Sequence, residues 1–267
     1  VALRRSAALL TEAHRLAQGR LASALAVFMV NLWKRMVRFD DIDATSAAWL
    51  EIALPRILAA RGQSANLAAA YANNFRAAEL EAAFERIFEP LIKVEEDKVR
   101  TSLRVTGPVA LKHRIKVANR LPDQRQAAEI QKAFVNSGAG AAAAAVRHVG
   151  DGGRGTISDM PRQDRKVRGW LRVTSATPCY FCAALASRGP TYVKESFDES
   201  DPRFTGDGTA KVHDTCGCSL EPLFFDQAAW PGRGKEFERL WADSTEKASG
   251  TDKMLAFRRA YEGRAKD

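Results

Sequence analysis

"TPCYFCAALASRGP" (177–190) and "VHDTCGCSLEPLF" (212–224) contain all four cysteines of the chain, and the second stretch adds a histidine. As spacing, they read Cys179-x2-Cys182, thirty intervening residues, then His213-x2-Cys216-x-Cys218. A Cys-x2-Cys turn curls two sulfurs toward one point, and zinc takes four thiolate or imidazole ligands in a tetrahedron. The pattern predicts a structural zinc held by four of the five residues Cys179, Cys182, His213, Cys216 and Cys218, with His213 and Cys218 as alternatives for the last place. So many donors leave no open position for water, which separates this pattern from a catalytic centre. Closing the thirty-residue loop costs on the order of 3 kcal/mol of chain entropy. A structural zinc contributes roughly 10 to 16 kcal/mol in apparent terms, enough to decide whether the segment folds. Two other readings compete. Disulfides need an oxidising compartment that nothing else in the composition indicates. A nucleophilic Cys179 or Cys182 with His213 as base needs one activated thiol and not a cluster.

Outward from these stretches, 267 residues at 46% hydrophobic content are enough for a sizeable core in one large domain or two ordinary ones. Lys and Arg outnumber Asp and Glu by 41 to 32, a net +9 that favours polyanionic partners. The charge is uneven: 16 basic and 5 acidic residues between Lys98 and Arg172 give +11, so the remainder carries −2. The apolar run Leu21 to Trp33 comes late for a secretory signal and, at 13 residues, is short against the ~20 of a membrane span. A soluble, intracellular protein is expected, with no membrane partner.

The first hundred residues are Ala-rich and helical in pattern. Leu9, Leu10, Ala13, Leu16, Ala17, Leu21, Ala24, Leu25, Phe28, Leu32 and Met36 recur at three- and four-residue steps and define one long helix. A cap at Asp43 or Thr45 opens a second helix that Pro55 should kink or end, and a third is expected at about 64–92, with Leu67, Tyr71, Phe75, Leu80, Phe84, Ile87 and Phe88 buried. "KVEEDKVRTSLRVTG" (93–107) reads as extended, and Pro108 as the first turn of a helix in which Leu111, Ile115 and Ala118 face inward. Lys112, Lys116 and Arg120 share the other face. The next helix, about 122–149, contains "GAGAAAAAV", whose small side chains permit close packing, and "GDGGRGTISDMPRQDRKVRG" (150–169) reads as a linker. In the tail, Phe237, Leu240 and Trp241, then Met254, Phe257 and Tyr261, predict two short amphipathic helices around "ASGTD", either packed on the zinc module or docking another protein.

"GWLRVTSATPCYFCAALASRGPTY" followed by "HDTCGCSLEPLF" resembles the phage Mu F-like minor head proteins, or head morphogenesis proteins, of tailed bacteriophages, in the version found in phages of actinobacteria. That family's hallmark is a paired-cysteine segment and then His-x2-Cys-x-Cys ahead of a short apolar strand, matched by Cys179, Cys182, His213, Cys216 and Cys218. "VTGPVALKHRI" and "RHVGDGGR" resemble its upstream helical part, so the likeness covers about Thr101 to Leu223 well and the first hundred residues loosely. The resemblance implies a virion component present in few copies, inside the capsid near the portal. Its implied partners are the portal and other head proteins, with assembly in the host cytoplasm. It also supplies a polyanion, packaged DNA, for Lys112, Lys116, Arg120, Arg162, Arg165, Lys166 and Arg168 to contact through phosphates. Some relatives carry a protease or a toxin, but this sequence has no GxSxG, and His14, His113 and His148 stand alone as ordinary surface or helix residues.

The expected fold is mainly α: a helical body (1–150), a small zinc-stapled α+β module (151–225) and a helical tail (226–267). The expected function is a structural minor head protein without catalysis. The alternatives are a non-sequence-specific DNA-binding zinc module and a thiol or zinc hydrolase.

Overall fold

A computed structural model describes residues 2–80, 87–91, 96–189, 192–193, 217–225, 230, 232–250 and 252–264. The protein is mainly helical. Its body consists of α1 (Ala2–Met36), α2 (Ile42–Leu80), α3 (Glu96–Arg104), a π-helical turn (Val105–Val109), α4 (Ala110–Ala118) and α5 (Asp123–Gln163). Then follow β1 (Gly169–Val173), α6 (Tyr180–Ala186), β2 (Tyr192–Val193), β3 (Ser219–Leu223), α7 (Gly234–Thr245) and α8 (Asp252–Arg264). The strands form one antiparallel sheet of order β2-β1-β3, with Leu171 opposite Glu221.

The main core lies where α1, α2 and α5 meet, around Met29, Trp33, Trp49, Ile57 and Ala141. Trp33 is its pin: its ring stands edge-on to Trp49 at 5.3 Å, and its indole N–H donates to the Phe134 carbonyl at 3.1 Å. The predicted α1 stripe holds in its second half, where Leu25 and Leu32 are buried, but Leu9 and Leu16 are exposed. There the buried positions are Ala7, Thr11 and His14. Ser6–Met36 is long and apolar enough, by length and composition alone, to cross a membrane, a longer stretch than the 13-residue run read from the sequence. The same helix supplies Leu25, Met29, Leu32 and Trp33 to the protein core.

Four readings of the sequence are corrected. Pro55 neither ends nor divides its helix, because α2 runs continuously from Ile42 to Leu80. Pro55 is exposed, and Trp49, Ala53, Leu54 and Ile57 anchor both sides of it in the core, so packing outweighs the hydrogen bond it forgoes. The segment read as extended is α3, whose Glu96 and Asp97 complement the helix N-terminus, whose Arg104 complements the C-terminal end, and whose Val99 and Leu103 are buried one turn apart. Pro108 lies inside the π turn instead of opening α4. The inward face of α4 is as expected, with Leu111 and Ala118 buried and Ile115 packed on the core. Of the residues expected inside near 64–92, Tyr71, Phe75 and Phe88 are buried, Ile87 is exposed, and Phe84 lies outside the described residues.

The fourth correction concerns 150–163. These residues are not a linker but the last third of α5, which passes through "GDGGRGTISDMPRQ" unbroken. Glycine is costly in a solvated helix, yet here it permits contact that no side chain would allow. A Cβ at Gly152 would stand 2.4 Å from the Arg61 carbonyl oxygen, and one at Gly138 would stand 2.4 Å from the Trp33 ring. Between them the "GAGAAAAAV" stretch buries Ala141, Ala142, Ala144 and Ala145, as its small side chains predict. Beside Gly152, the Gly153 N–H donates to Ser64 Oγ at 3.0 Å, and Ser64 Oγ donates to Gln18 at 2.7 Å, linking α5, α2 and α1.

Gly152→Ala is expected to destabilise the protein by about 1–3 kcal/mol, since backbone must move to admit the methyl group. Gly19→Ala, where nothing lies within 4 Å, should be neutral or stabilising by up to about 1 kcal/mol. Denaturant midpoints of the two variants measure the contrast.

Candidate functional site

The candidate site lies where the sheet, α6 and the tail join the end of α5. α6 begins at Cys179, whose Sγ accepts the Cys182 N–H at 3.3 Å and so caps the helix. This hydrogen bond is what a Cys-x2-Cys turn leading into a helix provides, and it turns both sulfurs to one side. Cys218, immediately before β3, completes a packed cluster with Cys182 and Cys179. Cys182 and Cys218 are buried and Cys179 is half-buried. His213 and Cys216, the other two expected ligands, lie outside the described residues. Among the described residues, no set of three or more His, Cys, Asp or Glu forms a group that could hold a metal ion. Cys182 and Cys218 pack together with Cys179 against them, so residues from both halves of the motif meet without forming a metal-holding set by themselves.

Three other elements hold this place. Arg154 of α5 is buried, donates to the Cys218 carbonyl at 3.2 Å and pairs with Asp151 at 2.7 Å. The Tyr261 hydroxyl of α8 donates to the Pro178 carbonyl at 2.5 Å. Burial raises the Tyr261 pKa, Arg233 opposes that shift, and Cys179 and Cys182 add to it. Ala183, Ala184 and Ala186 of α6 pack against Phe237, Leu240 and Phe257. The two tail helices form as predicted and fold back on the cysteine helix.

A second polar cluster was not foreseen from the sequence. Thr11 of α1 donates to the Glu221 carboxylate of β3 at 2.5 Å, and Thr11 Oγ1 and the Tyr71 hydroxyl of α2 lie 2.8 Å apart. His14 stacks on Tyr71 with 4.4 Å between ring centroids, and its Nδ1 has no hydrogen-bond partner among the described residues. His14 is therefore not a surface residue, and neither is His148, which is buried in α5; His113 is exposed. A carboxyl in the apolar run "CSLEPLF" was the available signal, because such a group needs a partner from another element. Nearby, Arg76 and Asp164 form a buried pair at 2.7 Å that ties α2 to the residue following α5.

The basic residues fall into two groups. Lys112, Lys116 and Arg120 are exposed on and just after α4. Arg162, Arg165, Lys166 and Arg168 are exposed at and beyond the end of α5. Arg114 of α4 donates to Ser137, and from Ser137 to Arg162 the helix extends roughly 37 Å at 1.5 Å per residue. Lys112 pairs with Asp43, and Arg162 pairs with Asp159 at 3.0 Å. One continuous phosphate-binding stripe is not formed by these seven.

A long three-helix body bearing a small sheet with a thiol cluster defines a mainly α protein with an appended cysteine module. The VG15 protein family matches residues 6–244, so the chain belongs to that family of phage gene products. The match spans the body, the sheet and α7 together. No curated protein and no solved structure matches the chain.

The buried cluster sets a pH dependence. Burial, reinforced by Glu79 and partly offset by Thr11, raises the Glu221 pKa from 4.5 to about 7. The folded state then holds this proton more tightly, so Glu221 lowers stability as pH rises from 4.5 to about 7. Burial lowers the His14 pKa from 6.5 to about 4, so His14 lowers stability as pH falls through that range. The two slopes oppose each other between pH 4.5 and 6.5. Glu221→Gln removes one of them: its stability relative to the parent should rise by about 3 kcal/mol from pH 4.5 to 7, measured by chemical denaturation at several pH values.

Proposed function

We propose that the chain is a structural protein of a tailed-phage head, of the Mu F-like minor head type, located inside the capsid near the portal. In this reading it assembles in the host cytoplasm and holds portal and other head proteins through its helical surfaces. The observation that carries the reading is the phage-family match from residue 6 to 244, which takes in both the helical body and the cysteine module as one unit. The cysteine spacing that distinguishes the Mu F-like pattern adds support, because thiols from both halves of the motif pack together.

The module would be held by a structural zinc. Four of Cys179, Cys182, His213, Cys216 and Cys218 are the proposed ligands, with His213 and Cys218 as alternatives for the last place. Bound there, the ion would act as a cross-link between the start of α6 and the start of β3. Arg154 would fix the Cys218 backbone, the tail would brace α6, and no bond in a substrate would be made or broken. Packaged DNA is a further proposed partner, met through phosphate contacts by Arg162, Arg165, Lys166 and Arg168.

Quantitative mass spectrometry of purified virions of the phage that encodes the chain tests this role. The chain is expected in particles at a small fraction of the major capsid protein's abundance, with cross-links to the portal. Abundance in the infected lysate combined with absence from particles and from assembling heads would overturn it.

A further inference from the structure

The π turn and α4 present a surface that the body leaves uncovered. Val105, Val109 and Val117 are each about half exposed, at 54%, 51% and 47%. Steps of 100° per residue put Val109, Lys112, His113, Lys116 and Val117 within one outer arc of about 140°, with Arg120 just beyond the helix end. Leu111, Ile115 and Ala118 take the opposite side against the core, so the outer arc cannot turn inward. From Arg104 to Arg125 there are six Arg or Lys residues and one acidic residue, Asp123. Lys112 is already paired with Asp43, and neither Lys116 nor Arg120 makes an ion pair among the described residues.

The π turn keeps the surface in this form. Pro108 supplies no N–H, the Ala110 N–H reaches back to the Val105 carbonyl, and Gly107 sits so close to Trp33 that a Cβ there would lie 3.1 Å from its ring. The widened turn is pinned from beneath by the central tryptophan, and π turns of this kind often occur at functional positions. Val109, exposed His113 and Val117 form one row with Lys112, Lys116 and Arg120 beside it, and apolar side chains next to cationic ones suit a protein partner. Phosphates would engage the lysines and arginine but would leave three valines without a partner.

We propose that this face docks an acidic amphipathic helix of another protein, with apolar side chains on Val105, Val109 and Val117 and carboxylates on Lys116 and Arg120. The docking does not depend on where in the phage the chain resides, so it can fail while the head-protein role stands, and the reverse.

The test uses the purified full chain and a fluorescently labelled synthetic helical peptide with a leucine stripe flanked by glutamates. A copy with lysine replacing each glutamate and a short DNA duplex serve as comparison probes. Fluorescence anisotropy is expected to show the acidic peptide binding at least about tenfold more tightly than the basic copy. The double variant Val109→Ser/Val117→Ser and the double variant Lys116→Glu/Arg120→Glu should each weaken the acidic peptide by about fivefold or more. Both variants alter exposed side chains, and unchanged circular dichroism and melting temperature show that they remain folded. Equal binding of both peptides, or no binding of either, would overturn the proposal. So would valine variants that bind like the parent, or a duplex that binds more tightly and loses affinity only with the charge variant.

Discussion

The close approach of α5 to α1 and α2 is the constraint on which the rest of the structure depends. At Gly152 the neighbouring backbone stands where a side chain would begin, and at Gly138 the Trp33 ring does so. Small residues between these points let the three long helices come together along most of their length. This packing offsets the backbone entropy that glycine costs a helix, and it carries α5 past its glycines to Gln163. The sheet and the cysteine helix are thereby set on a rigid support.

Polar contacts then join that support to the module. Arg76 and Asp164 pair in the interior where α5 ends, and removing one partner from a buried pair commonly costs about 3–5 kcal/mol. Thr11, paired with Tyr71, donates to Glu221 of β3, while Arg154 grips the Cys218 backbone. Around the thiols, α6 is braced by apolar contacts from the tail and by the Tyr261 hydrogen bond. The thiol cluster is therefore reached by α5, α6, α8 and the residues leading into β3, an arrangement suited to holding a shape.

Much of this was legible from local pattern. The inward face of α4, the two tail helices and the small-residue stretch of α5 all follow from periodicity, because each depends on side chains three or four positions apart. The packing of Cys218 with Cys182 and Cys179 was legible from spacing. What was missed depends on partners distant in sequence. Pro55 and Gly152 read as interruptions because the cost to an isolated helix is local, whereas the packing that offsets it comes from other helices. Residues 96–104 lack a long apolar stripe, and two buried residues with complementary end charges suffice only because a neighbouring core receives them. Glu221 could be recognised as unusual, but not as the partner of Thr11, 210 residues away.

Zinc content of the purified full chain, measured by native mass spectrometry under reducing conditions, tests most directly whether a metal cross-link holds the module. The account predicts one zinc per chain, retained through gel filtration and released together with thiol reactivity when a strong chelator is added. A folded chain that carries no metal and whose cysteines are freely titratable or joined as disulfides would contradict it.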